Sequence, residues 1–330
     1  MTGCHGASRL VRKTPLVLFA ALITAVSAAA RSETYPDRPI QLVVPAGAGS
    51  STDTMMRSLA QVASPMLGQS IVILNKPGAS GIIGVSYVTR SAPDGYPLAG
   101  VVNGALTMAP HVATANYQPS DYRIVAMTTQ AAGVLCVRPD FPADNAQQFL
   151  SELRSHPDKY TYGSDGVGAF VQFATARIFE PAGIRQRMIP YQGADQTVTA
   201  FLSASIDIYA GGMATIVPYV AEKKAKCLLT TTARRFAALP DVESLADVKM
   251  PQAETRLWRA VVAPRDMPQD RFDKLRDILI KAATTAEFKA LAEKRGEEFW
   301  DISADDANKY VQDEFTQMQR LAKELHLKQD

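Results

Sequence analysis

The chain has 330 residues, with 35 Lys and Arg against 33 Asp and Glu, and 47% of its residues are hydrophobic. This near-neutral balance leaves no electrostatic footprint for nucleic acid, and no Lys/Arg cluster suggests an anionic membrane surface. The length exceeds the roughly 250–300 residues at which one core usually stops growing, so two lobes are expected.

Residues 1–30 read as an export signal. Arg9, Arg12 and Lys13 form a basic start, Leu16 to Val26 is apolar apart from Thr24, and Ser27-Ala28-Ala29-Ala30 fits cleavage near Ala30. The apolar run is too short to span a bilayer. Cys4 precedes it and is not the lipidated cysteine of a lipoprotein signal. An uncleaved anchor is the alternative; the small-residue flank favours cleavage and a soluble exported protein. Cleavage would leave 32 basic against 33 acidic residues, a net charge of −1. Cys136 and Cys227 each sit in an apolar strand-like run and are expected to be buried free thiols; the compartment permits a disulfide, but spacing does not argue for one.

Strands and helices alternate from there on, which predicts an α/β protein with mostly parallel sheets covered on both faces. Strands are predicted at 41–44, 71–74, 98–102, 123–127, 160–163, 188–191, 206–209 and 227–230. A helix from about Ser51 carries Met55, Met56, Leu59, Val62 and Met66 on its apolar face and stops at Gly68. Further helices are expected at 145–155, 170–179 and 196–203. A strand-like stretch at 257–263 is followed by helices at about 270–283 and 287–295, a short strand at 298–302 and a last helix from Asp305, capped by Ser303, to about Leu325. No linker separates the lobes, as in hinge-bending proteins whose chain crosses between lobes in plain strands.

The chemistry lies in glycine-containing loops after strands. The first runs Ala46-Gly47-Ala48-Gly49-Ser50-Ser51-Thr52-Asp53 into the Met-rich helix. Glycines let amides approach a ligand and a helix N-terminus favours an anion, although a tight turn with a Ser/Thr cap explains the same residues. The second contains Asn75-Lys76-Pro77-Gly78-Ala79-Ser80-Gly81, the third Asn103-Gly104-Ala105, the fourth Ser164-Asp165-Gly166-Val167-Gly168-Ala169, and the fifth Tyr191-Gln192-Gly193-Ala194-Asp195. Loops at the carboxyl ends of strands are where open α/β sheets bind ligands.

Competing chemistries lack their motifs. There is no complete dinucleotide fingerprint, no Gly-Lys-Ser/Thr, no Gly-x-Ser-x-Gly elbow, no His-Glu-x-x-His and no Cys-x-x-Cys. His111, His156 and His326 are isolated from acidic or cysteine partners in sequence. No metal, cofactor or enzymatic activity is expected.

Tyr35-Pro36-x-Arg38-Pro39-Ile40, Thr52-Asp53, Asn75-Lys76-Pro77-Gly78-Ala79, Ala92-Pro93-Asp94-Gly95-Tyr96, Pro190-Tyr191-x-Gly193, Ala238-Leu239-Pro240-Asp241-Val242, Trp258 and Ala263-Pro264 together resemble the Bug-type solute receptors of tripartite tricarboxylate transporters. The similarity runs in order through nearly all of the chain after the signal. It implies a type II periplasmic-binding fold with one lobe from residues 31–132 plus 256–330 and another from 133–255. It implies a carboxylate held between them by amides, hydroxyls and waters, drawn from Ala46 to Asp53, Asn75 to Gly81, Asn103 to Ala105, Ser164 to Ala169 and Tyr191 to Asp195. It further implies membrane permease subunits as partners; the receptor is expected to be a monomer. An orphan receptor serving a sensor is the first alternative, and an exported hydrolase or lyase the second.

Some residues depart from that pattern. Ser80 stands where a glycine is usual, Ala169 and Phe170 where a hydroxyl is usual, Gln192 where Lys is frequent, and Asp165 and Asp195 add acids. Either the two acids cap helices or face solvent, or they select a solute bearing a positive group. Phe170 either packs in the core or stacks on an aromatic solute; Trp258 and Trp300 read as structural.

Overall fold

The computed structural model describes residues 1–3, 6 and 35–327. The export signal expected at 1–30 therefore falls almost wholly outside the described residues. The chain divides into residues 1–34 and 35–330, and all the described strands and helices lie in the second unit.

In chain order the elements are β1 (Ile40–Val44), α1 (Ser51–Leu67), β2 (Ile71–Asn75), α2 (Ile82–Thr89), β3 (Pro97–Val102), β4 (Tyr122–Val137), α3 (Ala146–Ser155), β5 (Thr161–Ser164), α4 (Phe170–Phe179), β6 (Arg187–Pro190), α5 (Ala194–Leu202), β7 (Ile208–Gly212), α6 (Met213–Ala221), β8 (Lys226–Thr230), β9 (Arg256–Pro264), α7 (Gln269–Ala283), α8 (Ala286–Glu293), β10 (Glu297–Phe299) and α9 (Ala304–Glu324). The expected alternation is present. The helix α6 had no counterpart in the periodicity, because its residues Met213–Ala221 are apolar on nearly every side and mimic a buried strand.

The strands follow the order β2-β1-β3-β9-β4-β7-β5-β6, with β8 and β10 also on β4. Parallel pairing, expected for most of the sheet, holds at the flanks, where β1 lies between β2 and β3 and β5 between β6 and β7. The centre is antiparallel. β4 pairs with β9 along residues 122–132 and with β7 and β8 along 133–137. A single 16-residue strand thus serves two sets of neighbours, and the change falls at Ala132/Gly133.

Helices cover both faces. α1 starts at the Ser50 cap, whose hydroxyl accepts from the Asp53 amide, and ends at Gly68 in the left-handed region, where no side chain opposes the turn. Its Met55, Met56 and Leu59 pack with Phe272 and Leu275 of α7 and Phe288 of α8. Met66, placed on that face by the heptad-like spacing, is exposed instead, and Leu67 is buried. α9 joins two cores: Ala307 and Val311 pack with Trp258 and α2, whereas Met318 and Ala322 pack with Phe170 and Phe173 of α4.

Cys136 and Cys227 form a disulfide, contrary to the expectation of free thiols. The cause is register: β4 and β8 are antiparallel and set these two residues directly opposite each other. Their separation of 91 residues conceals that proximity from any reading by local spacing.

Candidate functional site

The parallel registers align the strand ends. Val44 lies opposite Asn75 and Ser164 opposite Pro190, so the loops after β1, β2 and β3 leave one edge together and those after β5 and β6 leave another.

The first loop is braced from behind. Asp53, 2% exposed, accepts from the Gly49 amide (2.8 Å), Asn75 Nδ2 (2.8 Å) and Arg57 Nε (2.9 Å). Burial raises its pKa, but the hydrogen bonds prevail and hold it below the usual carboxylate range. Asp53, predicted among the solute contacts, therefore has its carboxylate engaged in holding Gly49 at φ 83° and tying the loop to β2. Asn75 also donates to the Ala46 carbonyl. Gly47, Ala48 and Gly49 remain exposed. With Ser50 capping Asp53, the amides of Ser51 and Thr52 have no intramolecular acceptor among the described residues. They are the orphan donors that every helix start leaves, here placed at a strand end.

The loops touch. Ser80 Oγ donates to the Val167 carbonyl at 2.6 Å, linking the second loop to the fourth across 87 residues of sequence. A Cβ on Gly81 would meet the Ala105 side chain at 2.6 Å, and one on Gly104 would approach the Phe170 amide at 3.3 Å. Gly168, at φ 75°, would place a Cβ 2.1 Å from Val112. The Tyr191 amide donates to Ser164, joining the fourth and fifth loops. Pro77, Gly78 and Ala79 form the exposed shoulder of the second loop, while Asn103 is fully buried, its Oδ1 without a hydrogen-bond partner among the described residues.

The two acids part company. Asp165 is half-buried, accepts from Thr197 Oγ1 at 3.2 Å, and has its pKa pushed up to about 6, chiefly by burial and secondarily by Asp195. Asp195 is exposed in the first turn of α5, where its charge suits the helix dipole. Phe170 is 5% exposed and its ring lies against Gly133, so it packs in the core as the simpler reading had it. Gly193 and Ala194 open α5, half-buried, and Ala169 precedes α4 without a capping side chain.

Sequence reasoning missed three buried ionisable side chains beneath these loops. Arg259 of β9 donates to Ser51 Oγ at 2.7 Å and pairs with Glu297 of β10 at 2.5 Å; both are at most 2% exposed on their side chains. Glu314 of α9 accepts from Thr107 (2.8 Å) and Trp258 (3.0 Å). The signal for Arg259 was a lone cation inside the apolar stretch Leu257–Ala263. Elsewhere, a cavity of about 780 Å³ lies on the α9 side, lined by Arg177, Arg256, Tyr310 and Glu314 among others. Among the described residues there is no cluster of metal-ligating side chains, and no helix is long and apolar enough to cross a membrane.

Comparison with known proteins places the fold in a family. The sequence pattern of the tripartite tricarboxylate transporter family receptor matches residues 55–327. A UPF0065 protein of Bordetella pertussis is 30% identical over 93% of this chain and 95% of its own. Protein BugT of the same organism is 28% identical over 73% of this chain and 74% of its own. Among solved structures, the periplasmic binding protein BugD is 26% identical with a TM-score of 0.81, covering 90% of this chain and 100% of its own. An R. palustris protein solved with adipate is 26% identical with a TM-score of 0.81, covering 88% and 97%. With its periplasmic-binding α/β fold, the chain belongs to the tripartite tricarboxylate transporter receptor family, and it is a solute-binding receptor rather than an enzyme.

Proposed function

We propose that this receptor captures a small carboxylate-bearing solute between two lobes, residues 31–132 with 256–330 and residues 133–255, and delivers it in the periplasm to the membrane permease subunits of a tripartite transporter. The observation that carries this reading is the series of contacts linking the strand-end loops one to the next, with the orphan amides of Ser51 and Thr52 in the first of them. A carboxylate there would meet N–H groups and the positive end of a 17-residue helix. Backbone donors lose no side-chain entropy on binding, which suits a cleft that takes different acids. The relative solved with adipate supports a dicarboxylate as the solute class. β4, which pairs with β9 along 122–132 and with β7 and β8 along 133–137, would carry one crossing of the hinge, and the chain entering β9, where the Thr255 amide donates to Thr231, the other. Asp165, half-buried in the fourth loop, would accept from a hydroxyl or ammonium group borne by the acid beside its carboxylates, and exposed Asp195 is left out of this reading.

A thermal-shift series with adipate, malate, citrate, glutamate and nicotinate tests the reading. At about 100 times its Kd a solute adds about 2.7 kcal/mol to apparent stability, so at least one acid is expected to raise Tm by several degrees. No shift with any of them, over a range reaching 10 mM, would count against it (about −2.7 kcal/mol of binding at 10 mM).

A further inference from the structure

Arg259 is an anomaly on energetic grounds. Burying a guanidinium and a carboxylate removes two ions from water, and a buried pair of this kind adds little stability compared with apolar residues of the same volume. Yet Arg259 and Glu297 are 2% and 0% exposed on their side chains, with Thr129 Oγ1 donating to the same Glu297 oxygen at 2.6 Å. Arg259 Nε has no hydrogen-bond partner among the described residues. What the guanidinium does reach is the first residue of α1, Ser51 Oγ, at 2.7 Å.

The direction of that bond is unambiguous. A guanidinium donates and never accepts, so Ser51 Oγ is the acceptor, and its own proton must be given elsewhere. No acceptor for it occurs among the described residues. The Ser51 hydroxyl therefore joins the Ser51 and Thr52 amides as a third donor on the same first turn. A neutral hydroxyl that accepts from a cation is also polarised, which strengthens the bond it donates.

We propose that Arg259 is a positioning residue: without touching the solute, it commits the Ser51 hydroxyl to donating to the solute's carboxylate. The inference rests on the reading of the α1 start as the carboxylate grip. It assigns the buried ion pair a role in recognition, with Glu297 and Thr129 orienting the guanidinium from β10 and β4. It also makes the grip partly dependent on a cation that its surface does not show.

The test is a double-mutant cycle read by titration calorimetry with adipate, malate and citrate. Ser51→Ala is expected to weaken the tightest-bound acid about tenfold, the loss of one hydrogen bond to a charged group. Arg259→Lys keeps a charge beside Glu297 but cannot span both partners, and should weaken binding about fivefold. Arg259→Met with Glu297→Leu removes the pair without orphaning a charge, and should weaken binding about tenfold. In the Ser51→Ala background neither change should weaken binding further. Losses that add to that of Ser51→Ala, or an unchanged Kd beside a shifted Tm, would overturn the inference and leave the carboxylate grip standing. Failure of the unmodified receptor to bind any of the three acids would remove the grip itself, and the inference with it.

Discussion

Replacing Cys136 and Cys227 together with alanine should lower the unfolding free energy by about 4 kcal/mol. The bond closes a segment of 91 residues, and constraining a loop of that length removes about 4–5 kcal/mol of chain entropy from the unfolded state. The closed segment includes α3 to α6 and β5 to β7, the elements proposed as the second lobe. Cys136 is fully buried in β4, whereas Cys227 of β8 is half-buried. Urea titrations of the oxidised, reduced and doubly substituted proteins check this. The expected result is a midpoint lowered equally by reduction and by substitution. Coincident midpoints for the oxidised and reduced forms would show that the bond does not constrain the unfolded chain.

The second large effect is a pH dependence set by Glu314. Its side chain is buried beneath the third loop, and burial pushes its pKa up to about 7 from 4.5, only partly offset by hydrogen bonds from Thr107, Trp258 and Asn103 and by the charge of Arg177. A carboxyl whose pKa rises on folding binds a proton in the native state that the unfolded chain has already released. Stability is therefore lost as pH rises from about 4.5 to about 7, by about 3 kcal/mol at 1.36 kcal/mol per unit. Other groups act over the same range. Asp165, raised to about 6, works in the same sense, and His111, whose pKa is lowered by burial, works in the opposite one. Glu314→Gln isolates the effect, because a neutral amide still accepts from Trp258 and Thr107. Relative to the substituted protein, the unmodified one should lose about 3 kcal/mol between pH 4.5 and pH 7.5 in denaturant titrations. Parallel stability curves for the two proteins over that range would refute the assignment.

These expectations also mark the limits of sequence reading. The strand-end loops were legible because Gly, Pro and Asn punctuate an alternating pattern, and punctuation is local. Asp53 and Ser50 looked like part of a ligand loop for the same reason. What sequence could not show is that Asn75, 22 residues on, turns the Asp53 carboxylate inward. Nor could it show the Cys136–Cys227 bond, the Arg259–Ser51 contact across 208 residues, or the closure of Ser80 on Val167. Each of these depends on which strands become neighbours, and a near-continuous apolar strand such as β4 carries no alternation that would disclose its partners. The separate fates of Asp165 and Asp195 follow the same logic. Both read as possible helix caps, and only the packing of Thr197 beneath Asp165 distinguishes them.

Hydrogen–deuterium exchange of the receptor with and without the acid giving the largest thermal shift tests the central claim most directly. Protection gained in peptides covering 46–53, 75–81, 103–105, 164–169 and 191–195 together is the result expected of a solute held where the five loops meet. Protection confined to residues around the α9 cavity, such as Arg177, Tyr310 and Gln317, with the glycine loops unchanged, would contradict it.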